Sequence, residues 1–465
     1  MVYIGLFISI LLGICVCFSI SQRLKIIELL GLAFPVGIGT QTFLMVWMDL
    51  FGVRFTRLSV LLVSLLFIIG LTGYLYKRRE SLKEWIIWAS KFTFPKFNLF
   101  WLLCIGAIIV VVVMNMAKTM YFPTFDTDSI RGFNLVGMAI AHEGTIKGLS
   151  IFTDINYSFD MVGHYMYTSY TPLVQAAYAY VYILGTDTSK IINALFFLSF
   201  IPVFYGVLSR FATHTLTALA TLFAFVTPEM LAFSSLSGTN FIHALYASLG
   251  ILFFVAWYYK KIPSFLWISA ILLALNCWTR SEGIVFIAAS SSILLWESIK
   301  NKSYKRLIFF TLIAVFPLIF WNVFLKINHF ASAQVFIMKP FWDGEKAAMI
   351  AREVWKLFNG TTYYGLTFIL FLFILLSNVW NIYKKRDQLI ILLLTCIALS
   401  LYTLVIYQID YVWDSLLNVL LYSYKRFLFS FIPLLWFYMA ANRNMAWLFE
   451  KVDNWLYPIQ SRKKK

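Results

Sequence analysis

The chain has 465 residues, of which 61% are hydrophobic and only 13% charged, with a formal net charge of +17. A soluble domain carries about 25% charged residues because water must cover its surface, so this composition excludes one and requires lipid as the solvent. The basic residues gather in short loops between apolar runs, where they set topology and meet anionic head groups, and they give no reason to expect nucleic acid.

Backbone that crosses lipid must satisfy its own hydrogen bonds, which leaves a helix bundle or a closed barrel. The apolar runs are roughly 17–25 residues long and do not alternate, which is helix length rather than barrel-strand length. In chain order they fall at 3–20, 27–50, 58–76, 98–116, 190–208, 213–229, 240–258, 263–278, 283–298, 307–325, 362–381, 388–407 and 427–442. They predict an all-α polytopic membrane protein with about 13 transmembrane helices. The first run lacks a basic leader and a small-residue cleavage site, and reads as an uncleaved span. Lys/Arg excess assigns Arg23 and Lys25, residues 77–96, Lys260 and Lys261, residues 300–306, Lys384 to Arg386 and the tail Arg462 to Lys465 to the cytoplasm. The N-terminus is then outside and the C-terminus cytoplasmic, with Arg54 and Arg57 as exceptions. The cysteines, Cys15, Cys17, Cys104, Cys277 and Cys396, all lie in apolar runs without metal-site or disulfide spacing.

Two apolar stretches read as juxtamembrane helices rather than spans. Residues 172–184 are short, start at Pro172 and are rich in tyrosine, a residue of the head-group level, which predicts an interfacial helix along the outer surface. Residues 344–358 alternate apolar and charged faces at helical spacing and predict a second. The organisation expected is an accessory three-helix module at 1–97, a catalytic membrane module at 98–442 and a basic tail at 443–465.

Bundle helices need only short connections, so the external segment 117–189 is longer than connection requires. It opens with Asp126 and Asp128 directly after the fourth span. Such carboxylates can take a proton from a hydroxyl, or hold a divalent cation such as magnesium or manganese, although a bare DxD also occurs in solvated loops. Arg131, His142, Glu143, Asp154, Asp160 and His164 follow in the same segment, with Arg131 and His164 as candidate substrate contacts. A lone histidine is most often a hydrogen-bonded partner and nothing more. Arg280 and Glu282 stand between two spans at the outer face, as a guanidinium clamp for phosphate or as a mutual ion pair. Lys425 and Arg426 open the last span on the outer side, against the positive-inside bias, where an anionic ligand or lipid phosphate would account for them. Carboxylates and cations thus gather at one face, at head-group depth, which suits a lipid-linked, phosphate-bearing substrate.

In the order FDTDSIRGFNLVGMAIAHEG, YTPLVQAAYAYVYILG, TRSEG and KRFLFSFIPLL, these segments resemble the motifs of the GT-C superfamily of polyprenyl-phosphate-dependent glycosyltransferases, which includes protein O-mannosyltransferases and lipid A aminoarabinose transferases. The resemblance covers about residues 98–442. The chain departs from the pattern in having a single proline at Thr171-Pro172, Phe427 where tyrosine is usual, and three additional N-terminal spans. The resemblance implies a sugar carried on polyprenyl phosphate at the cell exterior, and a lipid, glycan or protein acceptor. It implies Asp126 or Asp128 as the base in an inverting transfer, and Arg280, Lys425 and Arg426 around the leaving phosphate. Some members use a divalent cation at the acidic pair and others do not. Richness in Phe, Ile and Lys and the lack of a C-terminal retention signal fit a bacterial inner membrane. The alternatives are a polymerase or ligase using pyrophosphate-linked glycans, a lipid-linked glycan transporter, and a non-catalytic subunit of an assembly complex. Transporters usually show repeats and mid-membrane ionisable residues, and neither is evident in the sequence.

Overall fold

The computed structural model describes residues 1–90, 98–124, 126, 128–147, 149, 170–330, 336–338, 341–411 and 414–456. The chain runs through α1 (Val2–Ile20), α2 (Ile26–Leu50), α3 (Arg57–Lys77), α4 (Arg79–Ser90), α5 (Leu99–Tyr121), α6 (Leu135–Glu143), α7 (Leu173–Ile183), α8 (Lys190–Leu208), α9 (His214–Val226), α10 (Pro228–Ser234), α11 (Thr239–Lys260) and α12 (Pro263–Thr279). It continues through α13 (Ile284–Asn301), α14 (Lys305–Ile327), α15 (Gly344–Asn359), α16 (Thr367–Lys385), α17 (Leu389–Gln408), α18 (Ile432–Ala441) and α19 (Arg443–Leu456).

Among the described residues, ten helices are long and apolar enough to cross a membrane, and α9 with α10, bent by 66° at their junction, would make an eleventh. The chain is an integral membrane protein of the all-helical kind. The bend has a local cause: Pro228 opens α10, cannot donate to the preceding turn, and keeps Thr227 out of the helical region. Helices α3, α5 and α16 turn most of their apolar surface outward, as lipid-facing helices do. Helix α12 is a shorter apolar helix, and the last expected span is broken into a helical turn at Lys425–Leu428, a 3-10 turn at Phe429–Phe431 and α18.

The three N-terminal helices do not stand apart. Helix α2 is enclosed by α1, α7, α8 and α12. Gly13 on α1 and Gly37 on α2 bring the two backbones together, because a β-carbon at either would run into the main chain of the other helix. Tyr246 on α11 donates to the carbonyl of Pro35 at 2.7 Å, and Trp278 on α12 donates to Thr42 at 3.1 Å. In the centre of the bundle Phe197, Phe200, Phe204, Phe225 and Phe241 pack largely edge to face.

Helix α7 corrects the reading of residues 172–184. It does not lie along a surface; every side chain from Leu173 to Val181 is buried. Its tyrosines reach into the protein rather than to head groups. Tyr178 donates to Asn193 at 2.7 Å, Tyr180 to the Gly5 carbonyl at 2.9 Å and Tyr182 to Asn134 at 2.5 Å. Helix α15 is amphipathic as expected, with Ile350, Glu353 and Leu357 on its covered face. A two-stranded antiparallel ribbon, Phe336–Met338 with Ile409–Tyr411, was not foreseen, since three-residue strands are too short to carry a period.

Candidate functional site

The segment that carries the acidic pair is fixed at both ends. After α5, Phe122 leaves the helix in an extended conformation, and a π-helical turn from Asp128 to Asn134 leads into α6. Asp126 caps that turn: its Oδ2 accepts from the Ser129 backbone N–H and hydroxyl, both at 3.1 Å. At the far end Asn134 Oδ1 accepts from Tyr182 and from Ser189, at 2.5 and 2.7 Å. Gly137 lets α6 close on α7, since a β-carbon there would sit 2.7 Å from the Tyr178 side chain and 3.1 Å from the Gln175 carbonyl.

The cations arrive from the opposite end of the sequence. Arg426 Nη1 donates to Asp128 Oδ2 at 3.0 Å, across a separation of 298 residues. Arg280 leaves α12 at its C-terminus in an extended conformation. Its guanidinium forms a fork on Glu282, Nη2 to Oε1 at 2.6 Å and Nε to Oε2 at 3.2 Å, and Nη1 donates to Asn240 Oδ1 at 2.5 Å. The Tyr170 ring faces the guanidinium, 5.4 Å from its centroid. Burial works against the Arg280 charge, but the Glu282 carboxylate outweighs it and holds the pKa above the usual arginine range. Burial pushes the Tyr170 phenol up.

Asp126, Asp128, Arg280 and Arg426 line one cavity of about 40 Å³, together with Tyr170, the α11 cap residue Gly238 and the first residues of that helix, Thr239 and Asn240. Gly238 gives α11 no side-chain cap and its first turn holds no acidic residue, so its leading N–H groups add positive potential to the same space. The cavity is too small for a sugar.

Four of the expected residues therefore meet. Glu282 is near but acts on Arg280 rather than lining the cavity. Lys425 turns away: its Nζ pairs with Glu229 at 3.0 Å and lies over the Tyr363 ring, 4.2 Å from the centroid. His142 is exposed at the end of α6 and does not line the cavity, nor does Glu143. The Arg131 side chain, Asp154, Asp160 and His164 lie outside the described residues. Sequence reasoning missed Asn240, Tyr170 and Glu229. Asn240 carried a readable signal, a polar residue in the first turn of an apolar helix; the other two became legible only through their partners.

The described residues do not make up a metal shell. No group of three or more His, Cys, Asp or Glu among them could hold an ion, Arg426 occupies Asp128, and Ser129 occupies one oxygen of Asp126. Comparison with protein-family models, with curated proteins and with solved structures finds no match to this chain.

Proposed function

We propose that the chain is an inverting glycosyltransferase of the cell envelope that moves a sugar from a polyprenyl phosphate to a lipid, glycan or protein acceptor. The observation that carries this reading is the meeting of Asp126 and Asp128 with Arg280 and Arg426 around one cavity. A cleft holding carboxylates beside guanidinium groups can remove a proton and receive a phosphate, and glycosyl transfer from a phosphate carrier needs both. Asp126 is the base of choice, because among the described residues its carboxylate accepts hydrogen bonds only from Ser129, whereas Asp128 is paired with the Arg426 cation. In the reaction the acceptor hydroxyl attacks the anomeric carbon and its proton passes to Asp126. The bond between that carbon and the phosphate oxygen breaks, and the electron pair leaves with the polyprenyl phosphate. Arg280 and Arg426 neutralise the charge that grows there.

The same reading treats α12, the bent α9–α10 pair and the broken segment ending in α18 as spans. That makes thirteen, with the N-terminus and the site on the outer face and the C-terminus in the cytoplasm, and it places the chain in a bacterial inner membrane. Cysteine-accessibility labelling of residues next to α5 and α17 tests the orientation. The reaction is tested by incubating the purified chain in nanodiscs with polyprenyl-phospho-sugars and envelope acceptors. Asp126→Asn should bind donor as the wild type does and transfer at least about a hundredfold more slowly. Full activity in both Asp126→Asn and Asp128→Asn would sink the assignment. Binding of pyrophosphate-linked glycans but not of monophosphates would favour a polymerase or ligase.

A further inference from the structure

The wall of the cavity has a second side. A neighbouring cavity of about 120 Å³ is lined by Phe122, Pro123 and Thr124, and two residues later the same stretch faces the first cavity with Asp126. The stretch from the end of α10 to the start of α11 is shared in the same way: Ser235 and Ser237 face the second cavity, Phe233 and Gly238 the first, and Leu236 both. Two residues of chain span at most about 7 Å, so a group held in the second cavity lies within reach of the Asp126 carboxylate.

Lys118 and Lys190 also line this second cavity. Lys118 is exposed at the last turn of α5. Lys190 opens α8 and donates from Nζ to the Phe122 carbonyl at 2.5 Å. Among the described residues, neither lysine has a carboxylate partner. The first turn of α8 contains no acidic residue, so Lys190 stands at the positive end of a helix, where a cation is disfavoured. Two cations without a carboxylate partner among the described residues, one of them against a helix dipole, share an apolar-floored cavity with Thr124, Ser235 and Ser237.

We propose that this cavity binds a phosphate group on the acceptor, so that the acceptor of this chain is a phosphorylated molecule. The inference rests on the glycosyltransferase reading. The donor phosphate is met by Arg280 and Arg426, the acceptor phosphate by Lys118 and Lys190, and Asp126 stands between them where the acceptor hydroxyl must lose its proton. The acceptor phosphate takes no part in bond making; it fixes the hydroxyl.

The test uses the full chain in phosphatidylcholine nanodiscs, with glycerol 3-phosphate and phosphatidic acid as probes for a soluble and a lipid-borne phosphate. Calorimetric titration and native mass spectrometry give affinity and stoichiometry. Lys118→Gln/Lys190→Gln should weaken the preferred probe by roughly tenfold for each lysine removed, and leave polyprenyl phosphate binding unchanged. Lys118→Arg/Lys190→Arg should retain both. Arg280→Ala/Arg426→Ala should lose polyprenyl phosphate and keep the probe. Preference for phosphatidic acid assigns a lipid acceptor, and preference for glycerol 3-phosphate a soluble one. Wild-type affinity for both probes in a Lys118→Gln/Lys190→Gln protein with unchanged circular dichroism overturns the inference, whatever the donor does. An arginine pair without effect on polyprenyl phosphate, beside a clear lysine effect, overturns the donor reading instead.

Discussion

Replacing Arg280 by alanine removes three side-chain hydrogen bonds, two to Glu282 and one to Asn240. The stability effect and the binding effect can be separated, because they fall on different partners. Glu282 is left without its cation, but with 29% of its side chain exposed it regains water. The stability loss should therefore be about 1–2 kcal/mol, below the 3–5 kcal/mol typical of a fully buried pair that loses one partner. The donor effect is the loss of one charge-assisted contact to phosphate, about 2 kcal/mol or roughly thirtyfold in Kd. Thermal unfolding of the nanodisc-embedded protein reads the first quantity, and calorimetric titration with polyprenyl phosphate reads the second. Arg280→Ala/Glu282→Gln relieves the unpaired carboxylate, so stability should return towards the wild type while donor binding stays weak. Recovery of donor binding in that double variant would refute the reasoning, since Arg280 would then have acted only by neutralising Glu282.

Gly13→Leu should lower the unfolding temperature sharply and Gly70→Leu hardly at all, because a β-carbon meets the α2 main chain at the first position and nothing within 4 Å at the second. Asp49 is buried and accepts from Thr145 at 2.6 Å and from the backbone N–H groups of Ile146 and Lys147 at 3.1 and 2.8 Å. Asp49→Ala should therefore cost about 2–3 kcal/mol and open the chain near residue 147 to limited proteolysis, whereas an unchanged cleavage pattern would show that the contact does not hold the loop. Lys25, just ahead of α2, has its pKa lowered from 10.5 to about 8 by burial and then by Arg210. The folded state then binds fewer protons than the unfolded state between those values, so stability should rise as pH climbs from about 8 towards 10.5. Unfolding temperatures across that window should show the rise in the wild type and a smaller one in Lys25→Met.

The cationic end of the site illustrates how far linear reading extends. The anomaly of Lys425 and Arg426, two cations on the outer side, was visible in sequence, but both looked equally placed for a ligand. Adjacent helical residues point about 100° apart. One therefore reaches Asp128 and the cavity while the other turns to Glu229. The acidic side behaves differently. Asp126 and Asp128 stood out because they follow a span directly and open a segment longer than a connection needs, and both line the cavity. The Tyr-rich helix α7 was misplaced because composition reports that a phenol wants a polar partner, not whether the partner is a head group or Asn193 and Asn134.

What the sequence by itself determined is the solvent of this protein and the position of its long apolar helices. Lipid requires each crossing segment to be apolar over its whole length and to satisfy its own backbone, and both requirements are written locally in the chain. The tertiary structure alone decided that α2 lies inside the bundle, that α7 is enclosed, and that Arg426 meets Asp128 across 298 residues. Such contacts depend on how closely helices approach and on which side each residue faces. Those are properties of pairs of helices, set by glycines such as Gly13 and Gly37 and by partners far away in sequence, and no single segment contains them.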